Sequence, residues 1–261
     1  MAKLTLDWRE RRVDIEYHWV NTNQVDTDAP VMVFLHEGLG SVALWKDFPQ
    51  QLCAQLGMRG LIYSRPGYGK STPRAREEHW APNFMHRQAH EVLPMLLENL
   101  GINKPWLFGH SDGGSIALLF AAKFPLVPSG VIVVAPHLFV EQISIDSIKI
   151  ARQAYLQGDL RERLARYHVD VDSAFFGWND AWLSPAFSSW NIEASIPDIR
   201  CRVLAIQGEQ DEYGSLQQIH RIQALQPSAV AVSLPNCGHS PHRDQPDFLM
   251  RVVADFIQQT D

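Results

Sequence analysis

An open, mostly parallel α/β sheet of about eight strands with helices on both faces is the fold class this sequence predicts, and three observations predict it. Short continuous apolar runs at 31–35, 60–63, 106–108, 130–135, 203–206 and 230–234 alternate with stretches of helical periodicity. Such runs suit strands buried on both faces. One run passes through Gly109-His110-Ser111-Asp112-Gly113-Gly114 into a long apolar segment ending at Phe124, which reads as strand, sharp turn and helix. Asp211 and His239 stand just beyond two later runs, at the carboxyl-end edge where open α/β sheets build their sites.

Leu4, Leu6 and Trp8, then Val13, Ile15, Tyr17 and Trp19, alternate with polar residues, so an antiparallel hairpin opens the chain. A loop, 21–30, precedes the first buried run. That run ends in His36-Glu37-Gly38-Leu39-Gly40-Ser41, and a helix is expected over 41–56. Arg65-Pro66-Gly67-Tyr68-Gly69-Lys70-Ser71 is a turn-rich loop that lacks the G-x-x-x-x-G-K-S/T order of a phosphate cradle. The segment 83–100 has helical periodicity, with Pro94 expected to kink or divide it.

From 137 to 195 the alternation stops and helices are expected at 145–156, 160–167 and 171–183. This divides the chain into a core, 1–136 and 196–261, and a helical cap insert, 137–195. Nine of the 26 aromatic residues fall in the insert. Most would seal the small helical subdomain, while Trp178 and Trp182 are candidate substrate contacts on its underside. Alternation then resumes, with helices expected at 215–225 and 244–258.

The 261 residues suit one large domain or a domain with an insert. With 46% hydrophobic and 20% charged residues the balance is that of a globular protein. A net charge of -6, without a basic cluster beyond residues 9–12, argues against nucleic acid as a partner. The first residues lack the apolar core of a signal peptide, and no apolar run approaches membrane-spanning length, so no membrane partner is expected. Cys53, Cys201 and Cys237 are odd in number and carry no metal-ligand spacing. They read as reduced thiols of a cytoplasmic protein, two of them buried, with no metal and no cofactor.

A serine in a strand-to-helix turn takes a strained backbone, and the chain passes so close to itself that positions two before and two after it need hydrogen side chains. Gly109 and Gly113 meet that need. A turn with a merely capping serine would explain Ser111 but not its partners. A hydroxyl is a poor nucleophile at neutral pH and needs a base near pKa 7 held in one tautomer. His239 supplies the base and Asp211 the orienting carboxylate, in the order Ser, Asp, His. His242 is the rival base, and Glu209 or Glu212 the rival acid.

Together the His36-x-Gly38 loop, the Gly67-Tyr68-Gly69-Lys70-Ser71 turn, the Gly109-His110-Ser111-Asp112-Gly113 elbow, Gly208-x-x-Asp211 and Gly238-His239 resemble an α/β-hydrolase of the lidded esterase and lipase-like superfamily. The resemblance covers nearly the whole chain. It implies Ser111 as nucleophile, His239 as base and then acid, and Asp211 as orienting carboxylate. It also implies an oxyanion hole of two backbone N–H groups, from Asp112 and from Gly38 or, should the loop differ, Leu39. Two positions depart from the family's pattern: Glu37 stands where glycine is usual, and Ser64 where aspartate is common.

The expected reaction is hydrolysis of a small or medium carboxylic ester, lactone or thioester through an acyl-enzyme. Carbon-carbon bond hydrolysis, perhydrolysis and cyanohydrin cleavage use the same machinery on this fold, and a ligand-binding receptor of the fold is the reading of a different class. The Asp112 side chain needs a partner, because a free carboxylate would repel the developing oxyanion. Either it pairs with loop amides or a base such as Arg65, or, with Glu37, it offers negative charge to a substrate amine.

Overall fold

The computed structural model describes residues 1–75 and 77–259. Strands β1 (Ala2–Trp8) and β2 (Arg11–Val20) form the opening hairpin, and β3 (Val31–Leu35), β4 (Arg59–Tyr63), β5 (Trp106–His110), β6 (Gly130–Val134), β7 (Arg202–Gly208) and β8 (Val230–Leu234) follow. They lie in the order β1-β2-β4-β3-β5-β6-β7-β8. β1 and β2 pair antiparallel, as do β2 and β4; every other pairing is parallel. The sheet is open, an α/β-hydrolase fold.

Because side chains alternate across a strand, the apolar runs feed two cores. Val33, Leu35, Leu107, Val131 and Val133 point to one face, while Met32, Phe34, Phe108, Ile132 and Val134 point to the other. Fully covering both faces explains why the central strands are apolar throughout.

Helix α1 (Phe48–Leu56) is shorter than expected. A 3-10 turn, Val42–Trp45, precedes it, and the chain breaks direction at Lys46, with φ 52° and ψ -134°. Pro49 has no N–H and belongs in a first turn, so one continuous helix over 41–56 was not available to it. The 83–100 segment is a composite of α2 (Phe84–Arg87), a π turn (Gln88–Val92) and α3 (Leu93–Asn99). Pro94 sits in the first turn of α3, and the wider π turn before it accommodates the missing donor.

Helix α4 (Asp112–Lys123) follows the elbow. Between β6 and β7 lie α5 (Gln142–Gln157), α6 (Leu160–Ala165) and α7 (Val171–Leu183), then 3-10 turns at Pro185–Phe187 and Glu193–Asp198. A bridge between Phe139 and Asn191 joins the two ends of this segment. After β7 come α8 (Gln217–Leu225), β8, then α9 (Pro241–Asp244) and α10 (Pro246–Gln258). The expected helix over 244–258 is split at Gln245, with a proline in each first turn, for the same reason as Pro49.

Candidate active site

The elbow follows from sterics. Ser111 has φ 54° and ψ -121°, a region that side-chain-bearing residues occupy only under constraint. A Cβ on Gly109 would lie 2.3 Å from the Gly113 carbonyl oxygen, and one on Gly113 would lie 2.1 Å from that of Leu35. Neither position tolerates a side chain. The Ser111 hydroxyl makes no capping bond to its own helix, so helix capping does not account for this serine.

Asp211 and His239 meet across the ends of β7 and β8. His239 Nδ1 and Asp211 Oδ1 are 2.8 Å apart. The Tyr213 N–H donates to the same Oδ1 at 2.8 Å, and Gln207 Nε2 donates to Oδ2 at 3.0 Å. Burial works against the Asp211 charge, but His239 and the Tyr213 N–H outweigh it and lower its pKa. Burial likewise opposes a charged His239, yet Asp211 beside it raises the pKa above 6.5. With its Nδ1–H donating to Asp211, the neutral ring keeps Nε2 free to accept a proton.

His242 is placed elsewhere. Its ring packs on Trp45, Phe48 and His110, at centroid distances of 5.0, 5.8 and 4.8 Å, and burial drives its pKa well down. Of the rival acids, Glu212 accepts from the His239 backbone N–H at 3.2 Å rather than from the ring. Glu209 takes a bond from the Ser233 hydroxyl at 3.4 Å.

The loop after β3 is held from below. Arg65 is fully buried, and its Nη2 donates to the Glu37 carbonyl oxygen at 2.8 Å. His36 Nε2 accepts the Arg65 N–H at 3.0 Å, so the proton of this neutral ring is on Nδ1, which donates to the same Glu37 carbonyl at 2.7 Å. The Gly40 N–H is a third donor to it, at 3.1 Å. In a trans peptide the N–H points opposite to the C=O. Fixing the Glu37 carbonyl toward Arg65 and His36 therefore turns the Gly38 N–H the other way. The Leu39 carbonyl is held in its turn by His168 Nε2 at 3.0 Å, whose Nδ1 accepts the Gly69 N–H at 2.9 Å.

Asp112 faces Arg65, with Oδ2 3.9 Å from Nη2 and both side chains almost wholly buried. Trp182 Nε1 donates to Oδ1 at 3.1 Å. Burial pushes the Asp112 pKa up to about 6, against the pull of Arg65 and Trp182. Glu37 lies 3.2 Å from Arg243 Nη2 and 3.6 Å from His110 Nδ1. His110 Nε2 donates to the His239 carbonyl at 2.7 Å and so ties the elbow to the loop after β8. Ser64 takes the place of the family's usual aspartate in a polar network: it donates to Glu16 at 2.8 Å and accepts the Val42 N–H at 2.9 Å.

One cavity of about 720 Å³ is lined by Ser111, Asp112, His239, Glu37 and Gly38, and from the inserted helices by Trp178 and Trp182. Asp211 stands behind His239 and does not reach it. Each candidate preferred from the sequence is thus at this cavity or bonded to a residue that is, whereas the rival acid Glu209 is neither. Sequence reasoning missed Arg65 as an anchor of the loop after β3, and it missed His36, His110 and His168. Only the position of Arg65 beside the glycine-rich turn could have hinted at a role.

The chain is 24% identical over 257 residues, covering 88% of each protein, to 2-hydroxy-6-oxononadienedioate/2-hydroxy-6-oxononatrienedioate hydrolase of Comamonas testosteroni. It is 23% identical over 254 residues, 87% of each, to 2-hydroxy-6-oxo-6-phenylhexa-2,4-dienoate hydrolase of Burkholderia cepacia. Among solved structures, an alpha/beta hydrolase enzyme from a Medee basin deep-sea metagenome library superposes with a TM-score of 0.75 at 24% identity, covering 99% of this chain and 98% of that one. The sequence pattern of the alpha/beta hydrolase family matches residues 32–252; with that match, and with the elbow and sheet order described above, this chain belongs to the alpha/beta hydrolase family.

Proposed function

We propose that the chain is a serine hydrolase that cleaves a small or medium carboxylic ester, or a lactone or thioester, through an acyl-enzyme at Ser111. One observation carries the reading: a serine in strained backbone, with no capping role, lines the same cavity as a histidine whose Nδ1 is bonded to a buried carboxylate. Ser111 Oγ attacks the carbonyl carbon while its proton passes to His239 Nε2, and Asp211 stabilises the imidazolium. The Asp112 and Gly38 N–H groups receive the oxyanion. Collapse of the tetrahedral intermediate breaks the bond to the leaving oxygen, which takes the proton from His239. Water repeats the sequence on the acyl-enzyme, and the free acid leaves.

The helices between β6 and β7 act as the cap over this cavity, with Trp178 and Trp182 as apolar substrate contacts. Trp178 packs against the oxyanion loop so closely that a Cβ on Gly38 would lie 2.1 Å from its Nε1. No thiol competes with Ser111: Cys53, Cys201 and Cys237 are free, and burial pushes them up to about 12, 11 and 11. A cytoplasmic setting belongs to this reading, and among the described residues no helix is long and apolar enough to cross a membrane.

The names of the two relatives support a second reading. An oxo-dienedioate or oxo-dienoate has a ketone and no ester, so its hydrolysis breaks a carbon-carbon bond. The test is a panel of aryl esters, lactones, thioesters and vinylogous 1,5-diketones, run with fluorophosphonate labelling. Labelling of Ser111 with ester turnover, both lost in Ser111→Ala, supports the first reading; turnover of diketones alone supports the second. Labelling without turnover of any substrate would mark a binding protein. More than about a hundredth of wild-type activity in Ser111→Ala would overturn the role of Ser111, since removing such a nucleophile costs on the order of a millionfold.

A further inference from the structure

The charges at this cavity are unevenly divided between its interior and its mouth. Both carboxylates of the interior are already paired, Asp112 with Arg65 at 3.9 Å and Glu37 with Arg243 at 3.2 Å. The mouth carries the exposed cations Lys46, Arg163, Arg166 and Arg243 against one exposed carboxylate, Asp47. Arg163 lies 3.4 Å from Asp159, and Arg243 holds Glu37. Lys46 and Arg166 remain, and among the described residues neither has a carboxylate within 4.0 Å.

Tyr167 joins them. Lys46 Nζ donates to its hydroxyl oxygen at 3.0 Å and sits 4.6 Å from the ring centroid. Since that oxygen is the acceptor, its own proton is left to donate. The Lys46 hydrogen bond and charge lower the Tyr167 pKa against the opposing effect of burial, and the charges of Arg166 and Arg243 act in the same direction with smaller weight. The cluster is assembled from the break before α1, the cap around α6 and the helix after β8. Tertiary packing thus gathers positive charge at the cavity of a chain whose net charge is -6.

We propose that this mouth is a carboxylate-recognition site: Lys46, Arg166 and Tyr167 hold a carboxylate at the end of the substrate remote from its reacting carbonyl. The preferred substrate is then an anionic ester, rather than a neutral or amine-bearing one. A guanidinium, an ammonium and a phenol proton together suit a planar two-oxygen anion, and the field of the mouth draws it in. An amine entering the cavity would find both interior carboxylates occupied. The assignment rests on the hydrolytic reading of Ser111.

Three p-nitrophenyl esters of matched chain test it: the hemi-ester of adipic acid, the hexanoate and the 6-aminohexanoate. At low salt kcat/KM should favour the adipate over the hexanoate by about tenfold or more, with the amine lowest. Lys46→Glu and Arg166→Glu should each reduce that ratio by about tenfold, and raising ionic strength to about 0.5 M should shrink it. Arg9→Glu, on the β1–β2 turn, should leave the ratio unchanged. A ratio near one, a preference for the amine, or an equal loss on adipate and hexanoate in Arg166→Glu overturns the proposal. If no ester is turned over, the ester-cleaving reading itself fails. The mouth is then judged by calorimetric binding of free adipate to Ser111→Ala protein, expected to weaken about tenfold on adding Arg166→Glu; unchanged binding overturns it.

Discussion

Arg65→Met removes a buried charge that touches both sides of the proposed oxyanion hole. The Glu37 carbonyl loses its donor at 2.8 Å but keeps His36 at 2.7 Å and Gly40 at 3.1 Å. Asp112 loses its only ion-pair partner within 4.0 Å among the described residues. Removing one member of a buried pair costs about 3–5 kcal/mol, which in a chain of this size is roughly 6–20 °C in Tm. Complete loss of one oxyanion donor costs about 10²–10³ in kcat. With two of three holders retained on the 37–38 peptide, a loss of about 10–100-fold is expected, with KM nearly unchanged.

A pH profile separates this from simple loosening of the fold. Burial already pushes Asp112 up to about 6 with Arg65 in place; without the cation it rises further. A raised carboxylate is neutral at low pH and ionises as pH climbs. In Arg65→Met it then stands unpaired beside the developing oxyanion, so kcat should fall on the alkaline side, where the wild-type enzyme keeps its rate. Asp112→Asn added to Arg65→Met should remove that alkaline fall. Stopped-assay kcat from pH 5 to 9, with circular dichroism melts of each variant, reads both effects. A folded Arg65→Met with kcat within twofold of wild type, or an alkaline fall that survives Asp112→Asn, would refute the reasoning.

Asp211→Asn should stay folded and lose up to about ten-thousandfold in kcat, because the amide can favour the wrong tautomer of His239; a larger loss in Glu212→Gln would move the acid by one residue. Wild-type activity should need neutral His239 and so fall as pH drops through its folded pKa, which Asp211 holds above 6.5; a midpoint at or below 6 would sink this assignment. The same raised pKa adds stability below the unfolded value that is lost as pH rises through the folded one, whereas the lowered Asp211 adds stability that is lost as pH falls through its own. Asp112→Asn alone should reduce kcat/KM equally on esters with and without an α-amino group, since its carboxylate already faces Arg65; a selective loss on the amine would restore it as a substrate anchor. Gly38→Ala should lower activity through displacement of Trp178, measurable as a change in tryptophan emission together with kcat, and an unaltered spectrum at full activity would contradict the close contact.

The sequence by itself determined the parts that depend on local sterics and on strand order. Gly109 and Gly113 bracket Ser111 because the backbone admits nothing larger there. The apolar runs end where parallel strands must end, so Asp211 and His239 could be placed on the same edge as Ser111 before any contact was known. The prolines were equally local signals: Pro49, Pro241 and Pro246 each mark a first turn, and giving them that weight would have broken the helices over 41–56 and 244–258 in the right places. Only the tertiary structure decided what the side chains of the site do for one another. Glu37 meets Arg243 across 206 positions of chain, His168 bridges Leu39 and Gly69 from the turn between α6 and α7, and Arg65 lies under Asp112. No periodicity encodes such pairs. A charged side chain in a folded interior must find whichever partner the packing brings within reach, because an unpaired buried charge is too costly to keep, and that partner is fixed only when distant segments close on each other.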